Sequence, residues 1–244
     1  MVALGVLVGA WIAGKRAGER KNMVLDRAFW IVVAGFIGAR LGEVLFYDPK
    51  FYLANPGEIL KFWHGGLSSY GGFLGAAIML WWFYGRRPSI TNYQLPITKH
   101  FWHDADALAW GFVPGWLLGR IGCFLIHDHP GTFTHFILGV KFPDGVRHDL
   151  GLYDAILALG ILTIFMVARK RPHGVGWCAK TLMIIYPIVR FFFDFLRAGP
   201  PISDDLRYFG LTAAQYGSII ILVMMLCFII TQQYGKISSR TTTL

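Results

Sequence analysis

The chain has 244 residues, 55% hydrophobic and only 15% charged, where a soluble domain carries roughly 45–50% and about 25%. That excludes an ordinary soluble globular domain as the starting point. A net charge of +9 would point a soluble protein toward nucleic acid, but here the placement of the charge along the chain carries the information, and no nucleic acid is expected as a partner.

Apolar runs fall at about 2–14, 28–47, 68–84, 105–126, 150–168, 175–196 and 211–234. A helix crosses a bilayer in about 20 residues, whereas barrel strands alternate apolar and polar over about 10, and these runs do not alternate. The pattern predicts an all-α integral membrane protein with about seven transmembrane helices, forming one polytopic domain over 1–244. The first run would rise only about 20 Å against a hydrocarbon core of about 30 Å, so this helix is either incomplete as written or begins part-way through the membrane. Its basic residues follow the apolar stretch instead of preceding it, which is not the pattern of a cleavable signal.

With the 15–27 segment placed inside, alternation puts 14 of the 23 lysines and arginines on the inner side and six on the outer. The positive-inside rule then gives N-terminus out and C-terminus in. No internal repeat is visible, which weighs against an inverted-repeat transporter. The longer connections, 48–66 and 128–149, lie outside, so chemistry is expected there. Within the second, Phe133, Phe136, Ile137, Val140 and Phe142 stand among turn formers such as Pro143-Asp144-Gly145. This predicts a small cap containing β-structure. Cys123, Cys178 and Cys227 show no paired spacing, and neither a disulfide nor a thiolate zinc site is expected.

Arg40, Arg120 and Arg190 have no aqueous home in this topology. An arginine near a bilayer centre costs roughly 2.5–3.5 kcal/mol on insertion scales, so each needs a partner or a task. Three on three helices, all in the outer half, point to a shared polar cavity. Arg40 has Glu43 one turn on, so an internal ion pair and a substrate contact are both open. Arg120, flanked by Gly119 and Gly122, has no carboxylate three or four residues away; Asp128, two turns on, is within reach. A planar guanidinium with five donors suits phosphate. Tyr186, Arg190, Asp194 and Arg197 lie along one helical face, either as a structural network or with an anion as the missing partner.

Tyr70 stands in a glycine-rich helix start with Gly71 and Gly72, which suits an anion at free N–H groups or close packing through Gly71-x-x-x-Gly75. His127-Asp128-His129 looks like a metal cluster, but neighbours on a helix point in different directions, so no metal is expected. Asp149, Tyr153 and Asp154 open a helix, where capping is the default.

In these residues the chain resembles the bacterial phosphatidylglycerol–prolipoprotein diacylglyceryl transferase family. The motifs are Gly38-Ala39-Arg40-Leu41-Gly42 before Val44-Leu45-Phe46-Tyr47, Trp63-x-Gly65-Gly66-Leu67-Ser68, Tyr70-Gly71-Gly72, Gly119-Arg120-Ile121-Gly122-x-Phe124, Tyr153-Asp154, and Tyr186 through Arg190 to Arg197. The resemblance implies transfer of a diacylglyceryl group from phosphatidylglycerol to the lipobox cysteine of a preprolipoprotein. A thioether forms and glycerol phosphate leaves. It implies a multi-pass protein of the bacterial inner membrane, surrounded by membrane lipids, with its active site toward the outer leaflet and no cofactor.

By the same resemblance Arg120 would hold the phosphate, Arg190 would assist, and Tyr70 would help to activate the thiol. Arg40, Gly71, Gly72, Gly119, Gly122, Cys123, Asp128, Tyr153, Asp154, Tyr186, Asp194 and Arg197 complete the expected binding set. The chain departs from the family pattern in four places. Cys123 stands for the usual asparagine, Asp128 and Asp154 each stand for a glutamate, and an N-terminal stretch is missing, which agrees with the short first helix. Two other readings remain: a divergent lipid-modifying transferase with another donor or acceptor, and a non-catalytic lipid-binding or transport protein.

Overall fold

The structure is a computed structural model that describes residues 1–47, 49–62, 68–85, 97–199 and 207–241. It is mostly helical, and each of the seven apolar runs falls on a helix. In chain order these are α1 (Val2–Ala17), α2 (Lys21–Gly42), the short α3 (Pro49–Ala54), α4 (Ser69–Gly85), α5 (Ile97–Ile126), α6 (Leu150–Ala168), α7 (Trp177–Phe193) and α8 (Ala213–Thr241). Four segments are long and apolar enough to cross a membrane: Val2–Leu45, His100–Ile126, Leu150–Ala168 and Ala214–Thr231. Their large apolar side chains point outward, with Leu7, Val32 and Val167 each more than 60% exposed. Lipid is the environment such faces suit.

The chain divides into two compact units, Gly14–Asp104 on the one hand and Met1–Ala13 with Ala105–Leu244 on the other. In the first, α2 lies against α4 through small residues: a methyl group added at Gly71 would sit 2.1 Å from the Gly38 carbonyl oxygen, and one at Gly75 would sit 2.2 Å from that of Ala34. Such contact lets two backbones meet with no side chain between them. The same unit buries Asp104, which accepts from Arg20 at 2.9 Å, Arg27 at 3.4 Å and the Tyr84 hydroxyl at 2.9 Å. Arg20 and Arg27, counted as loop charges from the sequence, are therefore partners of a buried carboxylate.

In the second unit the start of α1 meets α5 through the same device, Gly5 against Gly115 and Gly9 against Gly111. Asp106 of α5 caps α7, accepting from the N–H groups of Gly176 at 2.6 Å and Ala179 at 2.9 Å. Gly176, at φ +86°, supplies the left-handed turn that makes this geometry reachable.

The predicted cap is a three-stranded antiparallel sheet in the order β1-β3-β2, from β1 (Pro130–Phe133), β2 (Val140–Phe142) and β3 (Gly145–Asp149). Phe142 pairs with Gly145, so the turn falls at Pro143-Asp144 as its residues suggest. Arg147 pins the sheet, donating to Asp144 at 2.6 Å and to the Gly131 carbonyl at 2.9 Å. Its guanidinium lies 3.6 Å from the centroid of the Phe133 ring. A two-stranded hairpin, β4 (Arg207–Tyr208) with β5 (Leu211–Thr212), precedes α8 and has no counterpart in the sequence reading.

Candidate active site

Three helices of the second unit bring their charges to one point. Arg120 near the end of α5 and Arg190 near the end of α7 both reach Asp154 of α6. Oδ2 of Asp154 lies 3.2 Å from Nε of Arg120 and 3.5 Å from Nη1 of Arg190. Arg190 turns its other nitrogen, Nη2, to Asp194 at 2.9 Å, the i, i+4 pair expected from the stripe. Asp154 and Asp194 are fully buried, and Arg120 is the most open of the four, its side chain 22% exposed. Among the described residues Oδ1 of Asp154 has no hydrogen-bond partner.

Two expectations are corrected here. Asp154 is not a helix cap: that task falls to Asp149, whose side chain accepts from the N–H of Leu152 at 3.1 Å. One turn further into α6, Asp154 turns toward the arginines. Nor is Asp128 the counter-ion of Arg120, because it pairs with His129 and Asp154 takes its place. Two carboxylates thus face two arginines in this cluster.

Asp194 is held by residues that the sequence reading missed. The Thr212 hydroxyl donates to its Oδ2, Arg207 donates to its backbone carbonyl at 3.3 Å, and Gln215 braces Thr212, accepting from its N–H at 2.8 Å. Gln215 in turn donates to the Phe191 carbonyl at 3.0 Å, which joins α8 to α7. The one signal for this network was polarity: Thr212 and Gln215 stand at the head of an otherwise apolar helix.

The remaining expected residues fall around this core. Tyr186 meets Trp116 edge-on with ring centroids 5.2 Å apart. Tyr153 is buried, its hydroxyl 2.6 Å from Nδ1 of His148. Burial lowers the His148 pKa below its ordinary 6.5, which leaves the imidazole neutral to accept from that hydroxyl. Arg197 pairs through its backbone with Gly131, tying the cap to the end of α7. A Cβ at Gly119 would meet nothing within 4 Å, whereas one at Gly122 would strike the side chain of Met1.

The turn after α5 also departs from expectation. The helix stops at Ile126, and His127 takes φ +53°, so His127, Asp128 and His129 do not lie on a helix. His127 pairs with Asp149 at 2.7 Å, while His129 sets Nε2 at 3.4 Å from Nη1 of Arg120.

Arg40, Gly71, Gly72 and the backbone of Tyr70 belong to the other unit. Arg40 donates to the carbonyls of Ile59 at 2.9 Å, Glu58 at 2.5 Å and Lys61 at 3.3 Å, and its guanidinium lies 5.0 Å from the Tyr52 ring centroid. It clasps the 56–60 turn. The N–H groups of Gly71 and Gly72 are directed to Ser68, at 3.3 Å and 3.0 Å, and both glycines pack on α2, which is the close-packing alternative for this segment. The Tyr70 side chain and the Trp63-x-Gly65-Gly66-Leu67 stretch lie outside the described residues.

The family model for prolipoprotein diacylglyceryl transferase matches residues 1–231. A phosphatidylglycerol–prolipoprotein diacylglyceryl transferase of Nitratidesulfovibrio vulgaris (strain DSM 19637 / Miyazaki F) is 33% identical over 227 residues, covering 88% of this chain and 81% of its own length. One of Wolbachia pipientis is 30% identical over 241 residues, covering 93% and 86%, and one of Pseudomonas paraeruginosa is 31% identical over 218 residues, covering 85% and 78%. The motifs that carry the resemblance, with the arginine and aspartate cluster that they build, therefore belong to a transferase, and the chain is a member of the prolipoprotein diacylglyceryl transferase family.

Proposed function

We propose that the chain transfers the diacylglyceryl group of phosphatidylglycerol to the thiol of a preprolipoprotein lipobox cysteine. The observation that carries this reading is the cluster of Arg120, Asp154, Arg190 and Asp194, in which Arg120 is the most exposed member. The thiolate attacks the glyceryl carbon that bears the phosphate ester. A C–S bond forms, the C–O bond breaks, and its electron pair leaves with glycerol phosphate while the thiol proton passes to a base. Negative charge grows on the phosphate as it leaves, so fixed guanidiniums favour the transition state over the ground state.

In this reading Arg120 contacts the phosphate, and Asp154 and Arg190 set its position. The unpartnered Oδ1 of Asp154 supplies an acceptor for a substrate hydroxyl or thiol. In this reading Tyr153, Tyr186 and Arg197 complete the substrate-binding set. Arg40, Gly71 and Gly72 shape the other unit, with Tyr70 the candidate to assist the thiol.

Seven helices on seven apolar runs, with the excess of lysine and arginine in alternate connections, support seven spans with N-terminus out and C-terminus in. The protein then lies in the bacterial inner membrane with the cluster toward the outer leaflet. The direct test follows glycerol phosphate released by the purified protein from phosphatidylglycerol micelles with a lipobox peptide. Release that needs the peptide's cysteine supports the reading; release that is unchanged when serine replaces that cysteine contradicts it.

A further inference from the structure

One cluster beside the anion site has chemistry of a different kind. The turn that begins at His127, with its left-handed φ of +53°, folds Asp128 and His129 back over the last turns of α5, where Cys123 sits. The Cys123 sulfur, a carboxylate oxygen of Asp128 and an imidazole nitrogen of His129 all lie within 4.8 Å of one another. His129 is 28% and Asp128 37% exposed at the side chain, so a solute can reach the cluster, while Cys123 is half-buried beneath.

We propose that Cys123, Asp128 and His129 form a binding site for a borderline divalent cation, zinc foremost, with a fourth position open to water. One thiolate, one imidazole and one carboxylate make a mixed soft and hard donor set, which suits zinc, cobalt or copper and disfavours magnesium and calcium. Zinc bonds run to about 2.0–2.3 Å, which places tetrahedral ligand atoms about 3.5 Å apart. Closing the cluster from 4.8 Å to that spacing takes about an ångström of side-chain movement. The turn at 127–129 is a connection, not a helix, so it can supply this movement.

Asp128 hydrogen-bonds Nδ1 of His129 and Arg120 lies 3.4 Å from its Nε2, so the metal would displace one of these two contacts to reach a ring lone pair.

Cobalt(II) titrated into the full-length protein, purified in detergent without a histidine tag, tests this directly. The expected result is one equivalent bound, with a sulfur-to-cobalt charge-transfer band and intense tetrahedral visible bands, both displaced by zinc. Cys123→Ser abolishes the charge-transfer band, and His129→Ala weakens binding about 100-fold or more, since loss of even an outer partner commonly costs 10–100-fold. Far-UV circular dichroism of both variants confirms that they are folded. Absence of the band in the native protein, or its survival in Cys123→Ser through another thiol such as Cys178, overturns the proposal.

Discussion

Oδ2 of Asp154 on α6 stands 3.2 Å from Nε of Arg120 on α5, and the same oxygen ties Arg120 to Arg190 on α7. One buried carboxylate thus fixes the separation of two guanidiniums that would otherwise repel each other in a medium of low dielectric. In the proposed reading, the geometry of the anion site is set by a residue that need not touch the phosphate.

Removing that carboxylate should therefore cost more than removing either arginine. Asp154→Ala leaves Arg120 without its carboxylate and Arg190 with Asp194 alone, and uncompensating one partner of a buried pair destabilises by about 3–5 kcal/mol. Asp154→Glu keeps the charge and matches the usual residue of the family, so it should retain fold and turnover. Thermal unfolding in detergent checks both: a clear loss for alanine, little for glutamate.

The α2 and α4 contact makes a prediction about packing alone. A methyl group at Gly71 would meet the Gly38 carbonyl oxygen at 2.1 Å, so Gly71→Ala must push the helices apart. Overpacking of this kind costs about 1–3 kcal/mol. Hydroxyl or thiol probes introduced along α2 should become more accessible in Gly71→Ala, whereas Gly72→Ala, whose added methyl would sit at 3.5 Å from its neighbours, should leave them protected.

The cap should loosen in mild acid. Burial lowers the His148 pKa below 6.5, so between the folded and unfolded values the unfolded cap binds more protons, and stability rises with pH across that window. Falling pH from about 7 should lower the protection of the β3 amides, measured against the unprotected exchange rate at the same pH, and His148→Gln should flatten that dependence. The Arg147 guanidinium holds the Asp144 carboxyl below its ordinary 3.8, so the stability this pair adds is present above that value and is lost only in stronger acid.

Much of this was legible in the sequence. Apolar runs give helices because backbone polar groups in a bilayer find partners only within their own segment, and each run falls on one. Arg190 and Asp194 were legible because i, i+4 spacing fixes their proximity. The sheet of the cap was legible in its turn residues, Pro143, Asp144 and Gly145. What escaped depended on the meeting of distant helices. Asp154 finds Arg120 and Arg190 only once α5, α6 and α7 pack, and Asp104 finds Arg20 and Arg27 in the same way, so local rules assigned these groups to caps and loops. The left-handed turn at His127 escaped because a non-glycine residue rarely adopts it.

The central claim is that Arg120 is the phosphate-binding group of a diacylglyceryl transferase. Purified protein in phosphatidylglycerol micelles, given a lipobox peptide, should yield a peptide heavier by one diacylglyceryl group on its cysteine, read by mass spectrometry. Arg120→Ala, folded by circular dichroism, should lower the rate of adduct formation by about 100-fold or more, the scale set by losing one fixed donor to a developing anion. An Arg120→Ala protein that forms the adduct at the native rate would contradict the account.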